Sequence, residues 1–130
     1  MKSTHSTLHL SNGIVLWKAV ANLAQAYALS HKDLEDVLGF SQTTLSRLYQ
    51  KGGGINPQSK EGELVLLLIR LYRSLSANLG GDDEAAKAWL RSHNHYFNES
   101  PLEHIRKITG LVEVLSYLDA MRKFKPTTVL

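Results

Sequence analysis

The stretch Ser41-Gln42-Thr43-Thr44, with Ser46 and Arg47 just behind it, carries residue types suited to reading another molecule's edges. A glutamine can make paired hydrogen bonds to adenine, and an arginine can do the same to guanine. Ser41, Thr43 and the N–H groups at a helix start can hold phosphates, and Lys51 can reach a flanking one. The plain alternative is a polar helix surface whose opposite face is core. Small polar residues gather at helix starts for capping reasons alone. DNA contact is the favoured reading for Gln42, Thr43 and Arg47, because the apolar positions around them fit a specific geometry.

That geometry is set by His31–Leu48, HKDLEDVLGFSQTTLSRL. Leu34 and Leu38 are four apart and share one helix face, and Leu45 and Leu48 share a face of the next helix. Gly39 follows Leu38, where a helix ends in a left-handed residue. Ser41 stands where the second helix wants an N-cap, and Phe40 is the apolar residue of the turn. Two short helices joined this tightly present the start of the second one, the helix-turn-helix arrangement. Glu35 departs from the usual small residue after Leu34. Its carboxylate swings to solvent, pairs with Arg47, or marks a motif that no longer binds DNA.

The chain has 130 residues, no cysteine and a net charge of +3. Its balance of apolar and charged residues is that of a globular protein. The lack of cysteine excludes disulfides and thiolate metal sites and fits a reducing, cytoplasmic compartment. The N-terminus lacks a secretion-signal core, and Leu64–Ile69 is too short to span a bilayer. Residues 1–60 carry six basic and three acidic residues, whereas 61–130 are balanced. The excess therefore lies with the helix-turn-helix. It suits a polyanion weakly, and a dimer would double it.

The spacing predicts an all-α chain: an N-terminal helix-turn-helix bundle over 1–58, a linking helix over 59–80, and a small helical module with a C-terminal tail over 81–130. Residues 1–12 read as loose. Ile14 to Leu29 is a helix with apolar residues at 16, 20, 23 and 27. Ser30, with Asp33 three residues on, caps the first motif helix. Gly52-Gly53-Gly54 and Pro57 interrupt the chain. The linking helix is apolar at Leu64, Leu67, Leu68, Leu71, Tyr72, Leu75 and Leu79, read as core with part of the stripe a homodimer seam. Asp82 or Asp83 caps the following helix, with Ala85, Ala88 and Trp89 facing inward. Ser100-Pro101-Leu102-Glu103 starts a helix that Gly110 ends or kinks into another, reaching about Lys123.

Other reactive residues have bland readings. His93 and His95 do not share a helix face, and the pair reads as solvated rather than metal-binding. His104 reads as surface. Phe97 is expected to plug the local core, and Tyr96 is open between plug and binding anchor. Arg106 and Lys107 fall near a helix end and suit its dipole. No nucleophile elbow, phosphate loop or other catalytic constellation stands out, so neither an enzyme nor a cofactor is expected.

In the second half, Ala86, Trp89 and Leu90, then Ser100, Pro101 and Leu102, then Gly110, Val114 and Leu118 form a spaced pattern. With the helix-turn-helix and linker before it, the chain resembles the Xre/MbcA/ParS antitoxins over about residues 14–123. The resemblance implies a cognate RES-domain toxin that consumes NAD, held inactive by the C-terminal module, and an operator DNA repressed through the N-terminal one. It implies toxin contacts from Tyr96, Arg106, Arg122 and the tail Lys125, Pro126, Thr127, Thr128, Val129 and Leu130. That tail would plug the toxin's mouth, whereas base rates favour a disordered terminus. The competing functions are a transcriptional regulator without a toxin partner and a scaffold or localisation adaptor.

Overall fold

The computed structural model describes the backbone of residues 2–124 and the side chains of 12–123. The expected tail, 125–130, lies outside the described residues. Among the described residues seven helices follow one another: α1 (Lys2–Ala26), α2 (His31–Leu38), α3 (Gln42–Lys51), α4 (Lys60–Asn78), α5 (Asp83–Arg91), α6 (Pro101–His104) and α7 (Ile108–Phe124). Among the described residues the only β pairing is an isolated bridge between Asn94 and Glu99. The architecture is all-α, as the periodicity predicts. The chain divides into two compact units between Ile69 and Arg70, inside α4. The sequence reading set residues 59–80 apart as a linker, whereas this helix is shared between the units.

In the first unit, α1 begins at Lys2, where residues 1–12 were expected to be loose. Nothing before Gly13 is a strong helix breaker, since Ser, Thr and His cost only tenths of a kcal/mol each. Gly13 itself is required by packing. A Cβ there would lie 2.7 Å from the Ile55 carbonyl oxygen, and the Ile55 N–H donates to the Gly13 oxygen at 3.2 Å. The buried face of α1 is Trp17, Val20 and Ala24, continued by Tyr27 just past its end. Leu16 and Leu23, expected inside, are half-buried. The spacings 16-20-23-27 and 17-20-24-27 are both helical, so periodicity alone does not choose between them.

The motif helices form as the sequence dictates. Ser30 and Asp33 make a full capping box: the Ser30 N–H donates to the Asp33 carboxylate at 2.9 Å, and the Asp33 N–H to the Ser30 hydroxyl at 3.0 Å. Gly39 is left-handed at φ 71°, and its N–H closes α2 on the Glu35 oxygen at 2.8 Å. Leu34, Leu38, Phe40, Leu45 and Leu48 are all buried, each stabilising the unit by roughly 2 kcal/mol. The Tyr49 ring meets Trp17 edge-on at 4.9 Å and stacks on His31 at 4.5 Å. It thereby ties α3 to α1 and to the start of α2.

The second unit begins within α4. Leu71, Tyr72 and Leu75 are buried with Ser74, whose hydroxyl donates to the Asp119 carboxylate of α7 at 2.8 Å. The Asn78 amide donates to the Leu118 carbonyl at 3.0 Å. Leu79 is only half-buried; on the first unit's part of α4, Leu64 and Leu67 are half-buried too, and Val65 and Ile69 are buried in their place. Asp82 caps α5 through the Ala85 N–H. The inward residues of α5 are Ala86 and Leu90, whereas Ala88 is exposed and Trp89 half-buried. Ser100 caps α6 with Pro101 in its first turn, but α6 is a single turn and does not run to Gly110. Arg106 and Lys107 bond back to Glu103 and His104 in a tighter turn. Gly110 therefore neither ends nor kinks a helix. It lies in the first turn of α7, packed against the end of α6.

Candidate functional site

The exposed side of α3 is a shallow depression lined by Gln42, Thr43, Ser46, Arg47, Gln50 and Lys51. The structure thus brings together five of the seven residues picked from the sequence. Ser41 and Thr44 are engaged differently. The Ser41 hydroxyl accepts the Thr44 N–H at 3.1 Å and donates to the Thr44 hydroxyl at 2.9 Å, so both hydroxyls serve the helix start. Gln50 was missed, although its signal was present: it is one turn beyond Arg47 and Ser46 on the same face. Glu35 is half-buried and makes no ion pair with Arg47. Among the described residues no acidic one lines the depression, so a polyanion seated there meets two cations with amide and hydroxyl groups.

The second unit carries three distinct surfaces. An open cleft is lined by Arg70, Arg73, Arg122 and Lys123, with Asp119 as the one carboxylate among the described residues. Arg122 lies 4.0 Å from that carboxylate. Arg106, expected near a helix end, sits in the turn after α6. It pairs with Glu103 at 3.4 Å and does not line this cleft.

The second surface is aromatic. Phe97 is buried, as expected of a plug, while Tyr96 is 73% exposed. The Tyr96 ring packs on Phe97 at 5.2 Å and on Tyr117 at 4.9 Å, and Tyr117 stacks on Trp89 at 6.4 Å. The loop that carries Tyr96 is closed by its own bonds. The Tyr96 N–H donates to the Asn94 side-chain oxygen at 2.9 Å, the Asn98 N–H to the Asn94 carbonyl at 2.8 Å, and the Asn94 N–H to the Glu99 carbonyl at 3.1 Å.

The third feature is one that sequence reading placed on the surface. His104 is 19% exposed and bridges two carboxylates: Nδ1 meets Glu99 at 2.7 Å and Nε2 meets Glu113 at 2.8 Å. Its ring also stacks on Phe97 at 4.8 Å. Ionised carboxylates only accept hydrogen bonds, so both ring nitrogens must donate, and only the imidazolium does that. Desolvation pulls the His104 pKa down, but the hydrogen bonds and charges of Glu113 and Glu99 outweigh it and leave the pKa above 6.5. Stability from this clamp is complete below about 6.5 and is lost as pH rises through the raised folded value. The thermal midpoint of the second unit should therefore fall on going from mildly acid to alkaline buffer. His104→Gln should abolish that step, and identical pH profiles for the two proteins would refute the assignment.

Among the described residues, no group of three or more His, Asp or Glu is placed to hold a metal ion. No helix among them is long and apolar enough to cross a membrane. The capped motif helices and the open face of α3 define a helix-turn-helix protein with a second all-α unit. Residues 13–70 match the antitoxin Xre-like helix-turn-helix domain, and residues 74–123 match the antitoxin Xre/MbcA/ParS C-terminal toxin-binding domain. The chain belongs to the Xre/MbcA/ParS antitoxin family, which makes it an antitoxin of the type II kind. No curated protein matches the chain.

Proposed function

We propose that this chain neutralises a RES-domain toxin that consumes NAD and represses its own operon through α3. The observation that carries the DNA half is the depression on α3, where Gln42, Thr43, Ser46, Arg47, Gln50 and Lys51 converge with no acidic residue among its described lining. Gln42 and Arg47 read base edges, Thr43, Ser46 and Lys51 contact phosphates, and Ser41 and Thr44 hold the helix start in shape. A homodimer sets two such helices on half-sites about one DNA turn apart. The match of residues 74–123 to a toxin-binding domain supports the other half. On that side Tyr96, Arg106, Arg122 and the tail Lys125, Pro126, Thr127, Thr128, Val129 and Leu130 face the toxin.

Co-expression with the product of the adjoining gene tests this. That product alone should arrest growth and drain cellular NAD. With this chain present, growth and NAD should recover and the two proteins should co-purify. Persistent arrest without a complex would overturn the antitoxin assignment. Promoter binding in that case would leave a transcriptional regulator without a toxin partner.

A further inference from the structure

Beside Tyr96, the second unit opens into a narrow slot between α4, α5 and α7. Leu75, Asn78, Leu79, Trp89, Tyr117, Leu118 and Met121 form its walls. Asn78 is the one amide there, and its N–H groups are already donated to the Ser74 and Leu118 carbonyls. Among the described residues, no charged side chain lines the slot. Its rim is nevertheless open to solvent, with Met121 43% exposed and Trp89 half-buried. Tyr96 extends this apolar surface, because its ring rests on Tyr117, a wall of the slot.

Resting on the toxin-binding reading of residues 74–123, we propose that this slot and the Tyr96 ring are where the toxin seats an aliphatic or aromatic side chain. The lining selects the chemistry. With no charge inside, a charged group would lose hydration without gaining a partner, whereas an apolar one is released from water. The exposed ring is also pre-organised. The bonds within Asn94–Glu99 hold its loop, and the His104 bridge from Glu99 to Glu113 ties that loop to α7. Ordering a loop opposes association, so an aromatic already held in place is the kind of residue that dominates an interface. The slot lies wholly within the stretch matched as toxin-binding, and its small size suits one inserted side chain. A second copy of this chain would instead need a broad self-complementary face.

The test uses the full chain and the toxin, with affinity read by titration calorimetry. Tyr96→Ala and Met121→Glu change exposed side chains and should leave helix content and melting unchanged. Each should weaken toxin binding about thirtyfold or more. Ile108→Ser, at a residue 62% exposed on the same unit but outside the slot, should bind as the unaltered chain does. If the unaltered chain binds the toxin and both slot variants bind equally well, the slot is not the docking point, while the antitoxin reading stands. Variants that change only self-association make it a contact between copies and overturn the proposal. An unaltered chain that binds no toxin removes the antitoxin reading and the slot assignment with it.

Discussion

Gly110→Ala is expected to destabilise the second unit by about 3 kcal/mol or more. A Cβ at this position would lie 1.8 Å from the His104 carbonyl oxygen and 2.7 Å from its carbon. Both are backbone atoms at the end of α6, so no side-chain rotation can relieve the overlap. The helices α6 and α7 must separate, which exposes part of the core formed by Leu102, Ile105, Leu111 and Val114. It also pulls His104 away from Glu113. The chain has two tryptophans, Trp17 in the first unit and Trp89 in the second. A Trp17→Phe background therefore lets Trp89 fluorescence report on the second unit. The melting midpoint read this way should fall by more than about 10 °C. An unchanged midpoint would mean that α6 and α7 do not pack as closely as described.

Gln42→Ala combined with Arg47→Ala is expected to lower operator affinity by at least about thirtyfold. A well-formed bidentate contact to a base is worth about 1–3 kcal/mol, and two such contacts are removed. Both side chains are exposed and neither belongs to the core of Leu34, Leu38, Leu45 and Leu48. The fold should survive, and circular dichroism checks that it does. Lys51→Ala should behave differently, weakening binding to all sequences alike and reducing the salt dependence by about one counterion. Anisotropy titrations on the promoter fragment and on scrambled DNA separate the two effects. Unchanged operator affinity in the double variant would remove Gln42 and Arg47 from recognition.

Much of this architecture is local and was therefore legible in residue order. The capping box of Ser30 and Asp33, the left-handed Gly39, the Ser41 cap and the leucines at 34, 38, 45 and 48 depend on neighbours within a few residues. Such features bring their own hydrogen bonds and their own periodicity. The face of α3 was legible for the same reason, because a helix fixes which residues share a side. The spaced pattern from Ala86 to Leu118 likewise pointed to the right family.

What residue order left open turned on how separate elements pack against one another. Two helical phases fitted α1 equally well, and packing chose Trp17 and Ala24 over Leu16 and Leu23. Gly110 looked like a helix stop, yet its lack of a side chain serves the close approach of α7 to the end of α6. His104 looked like solvent-facing surface until Glu99 and Glu113, five and nine residues away, closed on its two nitrogens. The slot beside Tyr96 draws its walls from three helices. Short-range hydrogen bonds and helical period are written into consecutive residues, whereas close approach, charge pairing across helices and concave surfaces exist only once distant segments have packed.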